Sequence, residues 1–171
     1  MNHEESKLQQ QCVAWFRAQF PHYSMLLMHP INEGSGHTTT DRRRQGIHKA
    51  EGAVAGVPDL ILFMPAEYLI ESGFGPTYMG TVNFYHSLGI EFKTPKGSQS
   101  QQQKDFQKMY EASDNMYVIV RSFEQFVENV TAYMKHVRDY IRHDADLAYR
   151  QIARDAEKRE RDKLQRIIKK K

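Results

Sequence analysis

The spacing of apolar residues changes several times along the chain, and each change marks an element. From Glu4 to Phe20, the residues Leu8, Cys12, Trp15, Phe16 and Phe20 recur at helical steps, predicting an amphipathic helix that Pro21 stops. Tyr23 to Met28 is a compact apolar run that reads as a strand, closed by His29-Pro30, and residues 32–36 have loop composition. Thr40 to Glu51 is helical in composition, interrupted by Gly46. Val57 to Met64 is nearly continuous in apolar residues and predicts a buried strand, with Pro58 at its start where no ladder donor is missed. Pro65 to Thr81, rich in glycine, reads as a loop or hairpin insertion carrying Tyr68, Phe74 and Tyr78. A second strand lies within Val82 to Lys93 and a third is Met116 to Val120. Between them Ser98 or Ser100 can cap a helix that runs to about Ala112. Ser122 to Gln125 has capping-box form and opens a helix with a broad buried face of Phe123, Phe126, Val127, Val130, Tyr133, Met134 and Val137. Past Arg138, sparse apolar residues among alternating charges predict one long exposed helix.

This order implies an α/β fold, a central mixed β-sheet flanked by helices on both sides. The expected division is a domain over residues 1–137 and a charged helical extension over 138–171. A chain of 171 residues, 40% of them hydrophobic, has room for one real core. No run of about 18 apolar residues is present, so no membrane span is expected. The first twenty residues carry Glu4, Glu5, Lys7 and Arg17 instead of an apolar signal segment, and a cytoplasmic location follows as the expectation. Cys12 is the single cysteine, which leaves no intramolecular disulfide and no multi-cysteine zinc site. The net charge of +3 is modest, but the cations cluster in Arg42-Arg43-Arg44 with Lys49, in Lys93, Lys96 and Lys104, and from Lys135 onward. Such clusters suit a polyanion, and they equally suit solvated helix faces.

The chemistry concentrates in two places. Asp59 enters an apolar strand, where a carboxylate is costly unless paired, hydrogen-bonded or bound to a cation. Glu91 and Lys93 lie two apart in an extended stretch and therefore share a face. An isolated Glu-x-Lys is commonly a structural ion pair; joined to a second acid it is half of a hydrolytic site. On the first helix Glu5 and Gln9 are four apart and thus neighbours, flanking the apolar stripe.

Pro58-Asp59 followed by Glu91-Phe92-Lys93 matches the Pro-Asp…(Asp/Glu)-x-Lys signature of the restriction-endonuclease-like nucleases. With Gly56-Val57-Pro58-Asp59-Leu60, Ile90 to Gly97, Gln101-Gln102-Gln103-Lys104, Tyr117 to Ser122 and the opening Glu5 to Gln9, the chain closely resembles the VRR-NUC family over roughly Glu5 to Tyr133. The resemblance implies a restriction-endonuclease-like core and metal-assisted hydrolysis of DNA phosphodiesters. It implies that Asp59, Glu91 and the Phe92 backbone carbonyl bind Mg²⁺ or Mn²⁺, with Glu5 joining as a further acid of the metal shell, directly or through water. Lys93 would position the attacking water, facing it without being sequestered as the salt-bridge partner of Glu91, and Gln103 would orient the nucleophile or phosphate. Arg42, Arg43, Arg44, Lys49, Lys96 and Lys104 would contact DNA. Two departures stand out: a long segment between Asp59 and Glu91, and Pro30-Ile31-Asn32-Glu33-Gly34 where the family has a Pro-Asn-Gly-Gly loop.

The leading expectation is a homodimeric endonuclease that resolves four-way junctions, of phage or prophage type. A monomeric flap or nicking nuclease and a non-catalytic DNA-binding module are the alternatives. The extension reads, in this order, as a docking arm for a second subunit, a DNA-contacting arm or a solvated tail; loss of dimerisation on removal of residues 138–171, measured by light scattering, is the outcome expected of the first. An intact dimer with weaker, salt-sensitive DNA affinity would assign the extension to DNA instead.

Overall fold

A computed structural model describes residues 3–30, 47–70 and 81–168. Helix α1 (His3–Gln19) opens with Glu4 and Glu5, two acids placed favourably at the positive end of the helix dipole. A six-residue 3₁₀ helix (Pro21–Leu26) leads into β1 (Leu27–Met28), and β2 (Leu60–Leu62) follows. Strands β3 (Ala66–Ile70) and β4 (Thr81–Tyr85) form a separate antiparallel hairpin. Strand β5 (Leu88–Phe92), helix α2 (Gln101–Glu111), strand β6 (Met116–Val120), helix α3 (Phe123–Lys135) and helix α4 (Asp139–Ile168) complete the chain.

The main sheet has the order β1-β2-β5-β6; β1 pairs antiparallel with β2, β2 antiparallel with β5, and β5 parallel with β6. It is the mixed sheet that the sequence implies. Every residue of β5 is buried, because it has a strand on either side and helices on both faces. Alternation along β5 divides those faces. Phe92 stacks on Phe126 of α3, whereas a Cβ at Gly89 would meet Tyr110 of α2 at 2.9 Å. Trp15 of α1 fits edge-on between Phe20, Phe123 and Phe126, so it is half-buried and packs against the core.

Several elements are shorter than their apolar runs. Of the run Tyr23 to Met28, only the last two residues form a strand; Pro21 presets the start of a 3₁₀ helix that takes Tyr23 with it. Of Val57 to Met64, only Leu60–Leu62 forms ladder, since β1 offers two residues to pair with. The stretch from Val82 to Lys93 divides into two strands that belong to different sheets. The insertion is a hairpin, and Tyr68 in it is packed edge-on against Tyr85 and stacked 3.9 Å from His136, not presented to a ligand. Phe74 and Tyr78 lie outside the described residues. The full capping box forms at Ser100 and Gln103; at Ser122 only half of it does, because the Gln125 side chain accepts from Arg121 N–H instead. Helix α4 packs Ile141 on the core and holds its second turn through His22, which bonds Asp146 at 2.7 Å and stacks on Tyr149; residues 154–167 are all exposed.

The loop before β2 is tied to the start of α2 at Gly56. Its φ is +85°, and a Cβ there would lie 2.4 Å from the Gln102 backbone oxygen. Gly56→Ala is therefore expected to cost roughly 2–4 kcal/mol, from left-handed strain plus a backbone clash, read as a lowered urea midpoint at unchanged slope.

Candidate active site

Glu91 is 1% exposed and lies on the α2 face of the sheet. In the antiparallel register Leu60 faces Ile90, so Asp59, one residue earlier, falls beside Glu91 and on the same face. The Asp59 carboxylate is fixed from the backbone: its Oδ2 accepts from the Phe92 N–H at 2.8 Å. Glu91 Oε1 accepts from Lys93 Nζ at 2.6 Å and also from the Gln103 amide; Oε2 accepts from the Tyr117 hydroxyl at 3.2 Å. Gln103 reaches Glu91 because its helix begins there: the Gln103 Oε1 accepts from Ser100 N–H at 2.9 Å while its Nε2 turns inward.

The structure thus gathers Asp59, Glu91, Lys93 and Gln103 into one cluster. Glu5 joins at the rim, where its Oε1 accepts from Thr94 N–H at 3.1 Å and its charge adds to the field at Asp59. A cleft of about 140 Å³ opens there between Glu4, Glu5, Lys93, Thr94 and Arg121. The expectation of an unsequestered Lys93 is not met. Strand alternation and burial place its ammonium directly on Glu91, and a carboxylate this deep needs a compensating cation. Phe92 enters the cluster through its N–H. Lys96 and Lys104 are exposed on the turn and on the first turn of the helix that carry the site, and Lys49 is exposed on a helical turn at 47–50. Arg42, Arg43, Arg44 and Asn32 lie outside the described residues.

Burial, followed by the charge of Asp59, pushes the Glu91 carboxyl up from 4.5 to about 7 against the pull of Lys93 and Tyr117. Burial likewise raises Asp59, held back by the Phe92 N–H and by Lys93. Asp59 raises Glu91, and Glu5 raises Asp59; crowding of acids on one face is what a bound cation relieves. Among the described residues no group of three or more His, Cys, Asp or Glu is gathered for a metal. A two-carboxylate set suits Mg²⁺ or Mn²⁺, ions that keep water and phosphate oxygen among their ligands.

The sequence matches no protein-family model and no curated protein. Among solved structures, a VRR_NUC domain protein is similar, with a TM-score of 0.57 and 18% identity over 80% of this chain and 93% of that one. The chain has the VRR-NUC fold. Within that fold, the roles of three contributors escaped the sequence reading. Tyr117 reads as strand filler until the parallel register sets it beside Gly89, whose missing side chain leaves room for the ring to reach Glu91. His29 bonds the Asp59 carbonyl, and its place just ahead of Pro30 carried no periodic signal; Gln9, which flanks the apolar stripe of α1, is buried and reaches it. Arg121 Nη1 donates to the carbonyls of Thr94 at 2.6 Å and Gly97 at 2.8 Å, clamping the turn between β5 and α2.

The raised carboxyls set a pH dependence. A folded-state value above the unfolded one means that the folded protein holds the proton more tightly, so this contribution is complete below pH 4.5 and is lost as pH rises through about 7. In EDTA, stability to urea is expected to fall across that window, and Glu91→Gln is expected to flatten the fall.

Proposed function

We propose that this protein is a metal-dependent nuclease of the PD-(D/E)XK type that hydrolyses DNA phosphodiester bonds. The observation that carries the proposal is the pair of buried carboxylates, Asp59 and Glu91, held on one sheet face beside Lys93 and Gln103. Asp59 and Glu91 would hold Mg²⁺ or Mn²⁺, with the Phe92 carbonyl and Glu5 as further oxygen donors. When bound, such an ion polarises a phosphate oxygen and acidifies a water. The protein supplies the rest. The Phe92 N–H and Gln103 keep the two acids in place, so little reorganisation accompanies the reaction. Lys93 Nζ, whose three N–H groups exceed the one bond it gives Glu91, can direct another at the attacking water or the phosphate oxygen on which charge builds. The exposed Lys96 and Lys104 supply positive charge for the flanking backbone, with Lys49 and Arg42 to Arg44 as further contacts.

The finer reading is a homodimeric resolvase of four-way DNA junctions. One domain supplies one such cluster, and paired cuts in two strands need two clusters related by a two-fold axis. A monomeric flap or nicking nuclease is the second reading, favoured by the same fact of one cluster per chain.

Cleavage of labelled junction, flap, single-stranded and linear duplex DNA is the test. Mg²⁺ should support cutting and EDTA should stop it. Asp59→Ala and Lys93→Ala should each reduce the rate by about 10²-fold or more, as loss of one preorganised electrostatic group does elsewhere. Cutting that survives both substitutions would sink the nuclease reading; a strict monomer that cuts flaps and spares junctions would select the second reading.

A further inference from the structure

We infer that His29, backed by Gln9, is a positioning residue that sets the metal-binding posture of Asp59; the inference rests on the nuclease reading of the site. His29 follows β1, and its Nδ1 lies 2.6 Å from the backbone oxygen of Asp59. A carbonyl oxygen only accepts, so Nδ1 carries the ring proton and donates it there. An unprotonated Nδ1 would set two lone pairs against each other at that distance. Gln9 Nε2 stands 3.1 Å from the same nitrogen, and turning the amide about its terminal torsion offers Oε1 as a second acceptor. Asp59 follows Pro58 in a bend ahead of β2, where its strand neighbours do not yet hold it. Its side chain is tied to β5 by the Phe92 N–H and its peptide to α1 and β1 by His29 and Gln9. The His29 bond therefore decides the plane of the Asp59 peptide, and with it the direction from which the carboxylate leaves the backbone. Sequence-distant α1, β1 and β5 meet at this one acid.

The chemistry of the link names its substitutes. An asparagine places an N–H where Nδ1–H was; a glutamine places its amide where Nε2 was and misses the carbonyl. Binding of Mn²⁺ alone, followed by calorimetry on the full chain, should be within about twofold of wild type in His29→Asn, and weaker by about tenfold or more in His29→Gln and His29→Ala, the usual scale for loss of a group that orients a metal ligand. In the wild type, long-range proton–nitrogen spectra at about pH 8, where an ordinary imidazole is neutral, should show the Nδ1–H tautomer of His29. The Nε2–H tautomer, or unchanged Mn²⁺ affinity in His29→Ala, overturns the inference. The cleavage assay is separate: a wild type that keeps this order of Mn²⁺ affinities and cuts no DNA overturns the nuclease reading and leaves the positioning role standing.

Discussion

A carboxylate held at 1% exposure in the central strand of a sheet is the constraint around which this protein is arranged. An unpaired charge there would cost several kcal/mol, so the fold must either leave Glu91 protonated or surround it with donors. It does some of each. Lys93, Gln103 and Tyr117 deliver three hydrogen bonds from just past the end of β5, a helix N-terminus and the neighbouring parallel strand, while Asp59 on the same face keeps the proton partly in place. Lys93 depends on strand alternation, Gln103 on the capping box at Ser100, and Tyr117 on the parallel register of β5 and β6 together with the absence of a side chain at Gly89.

The same economy governs the surroundings. Arg121 closes the turn between β5 and α2, and Gly56 lets the loop before β2 lie against the first residues of α2. Both contacts fix the helix that presents Gln103. The cluster is therefore rigid for a reason unconnected with local propensity: its members sit on regular elements or are tied to them, so none relies on a free loop for its position. The hairpin β3–β4 takes no part in this scaffold. It packs through Tyr68 on His136 and Tyr133 at the end of α3, away from the acids.

Helix α4 shows a different balance. Its first turns are held by Ile141 on the core and by the His22–Asp146 and His22–Tyr149 contacts, after which it continues with no buried residue among those described. Alternating charges and helix-forming residues without glycine or proline are enough to keep such a segment helical, and they leave its surface open.

What the sequence determined alone was local and periodic. Helical spacing announced α1 and α3, continuous apolar runs announced the central strands, Ser98 or Ser100 announced the start of α2, and the order of elements announced a mixed sheet. Asp59, Glu91 and Lys93 stood out because charge in an apolar strand needs a reason. Tertiary structure decided the rest, because it depends on register and approach between distant segments. Only the antiparallel offset of β2 against β5 puts Asp59 on the face of Glu91, only the parallel offset of β6 brings Tyr117 to it, and only the end of β1 carries His29 to the Asp59 carbonyl. The fate of Lys93 shows the limit most plainly. Alternation predicts that it shares a face with Glu91, but whether an ammonium stands clear of a carboxylate or bonds it at 2.6 Å is settled by how deeply both are buried, which no pattern along the chain records.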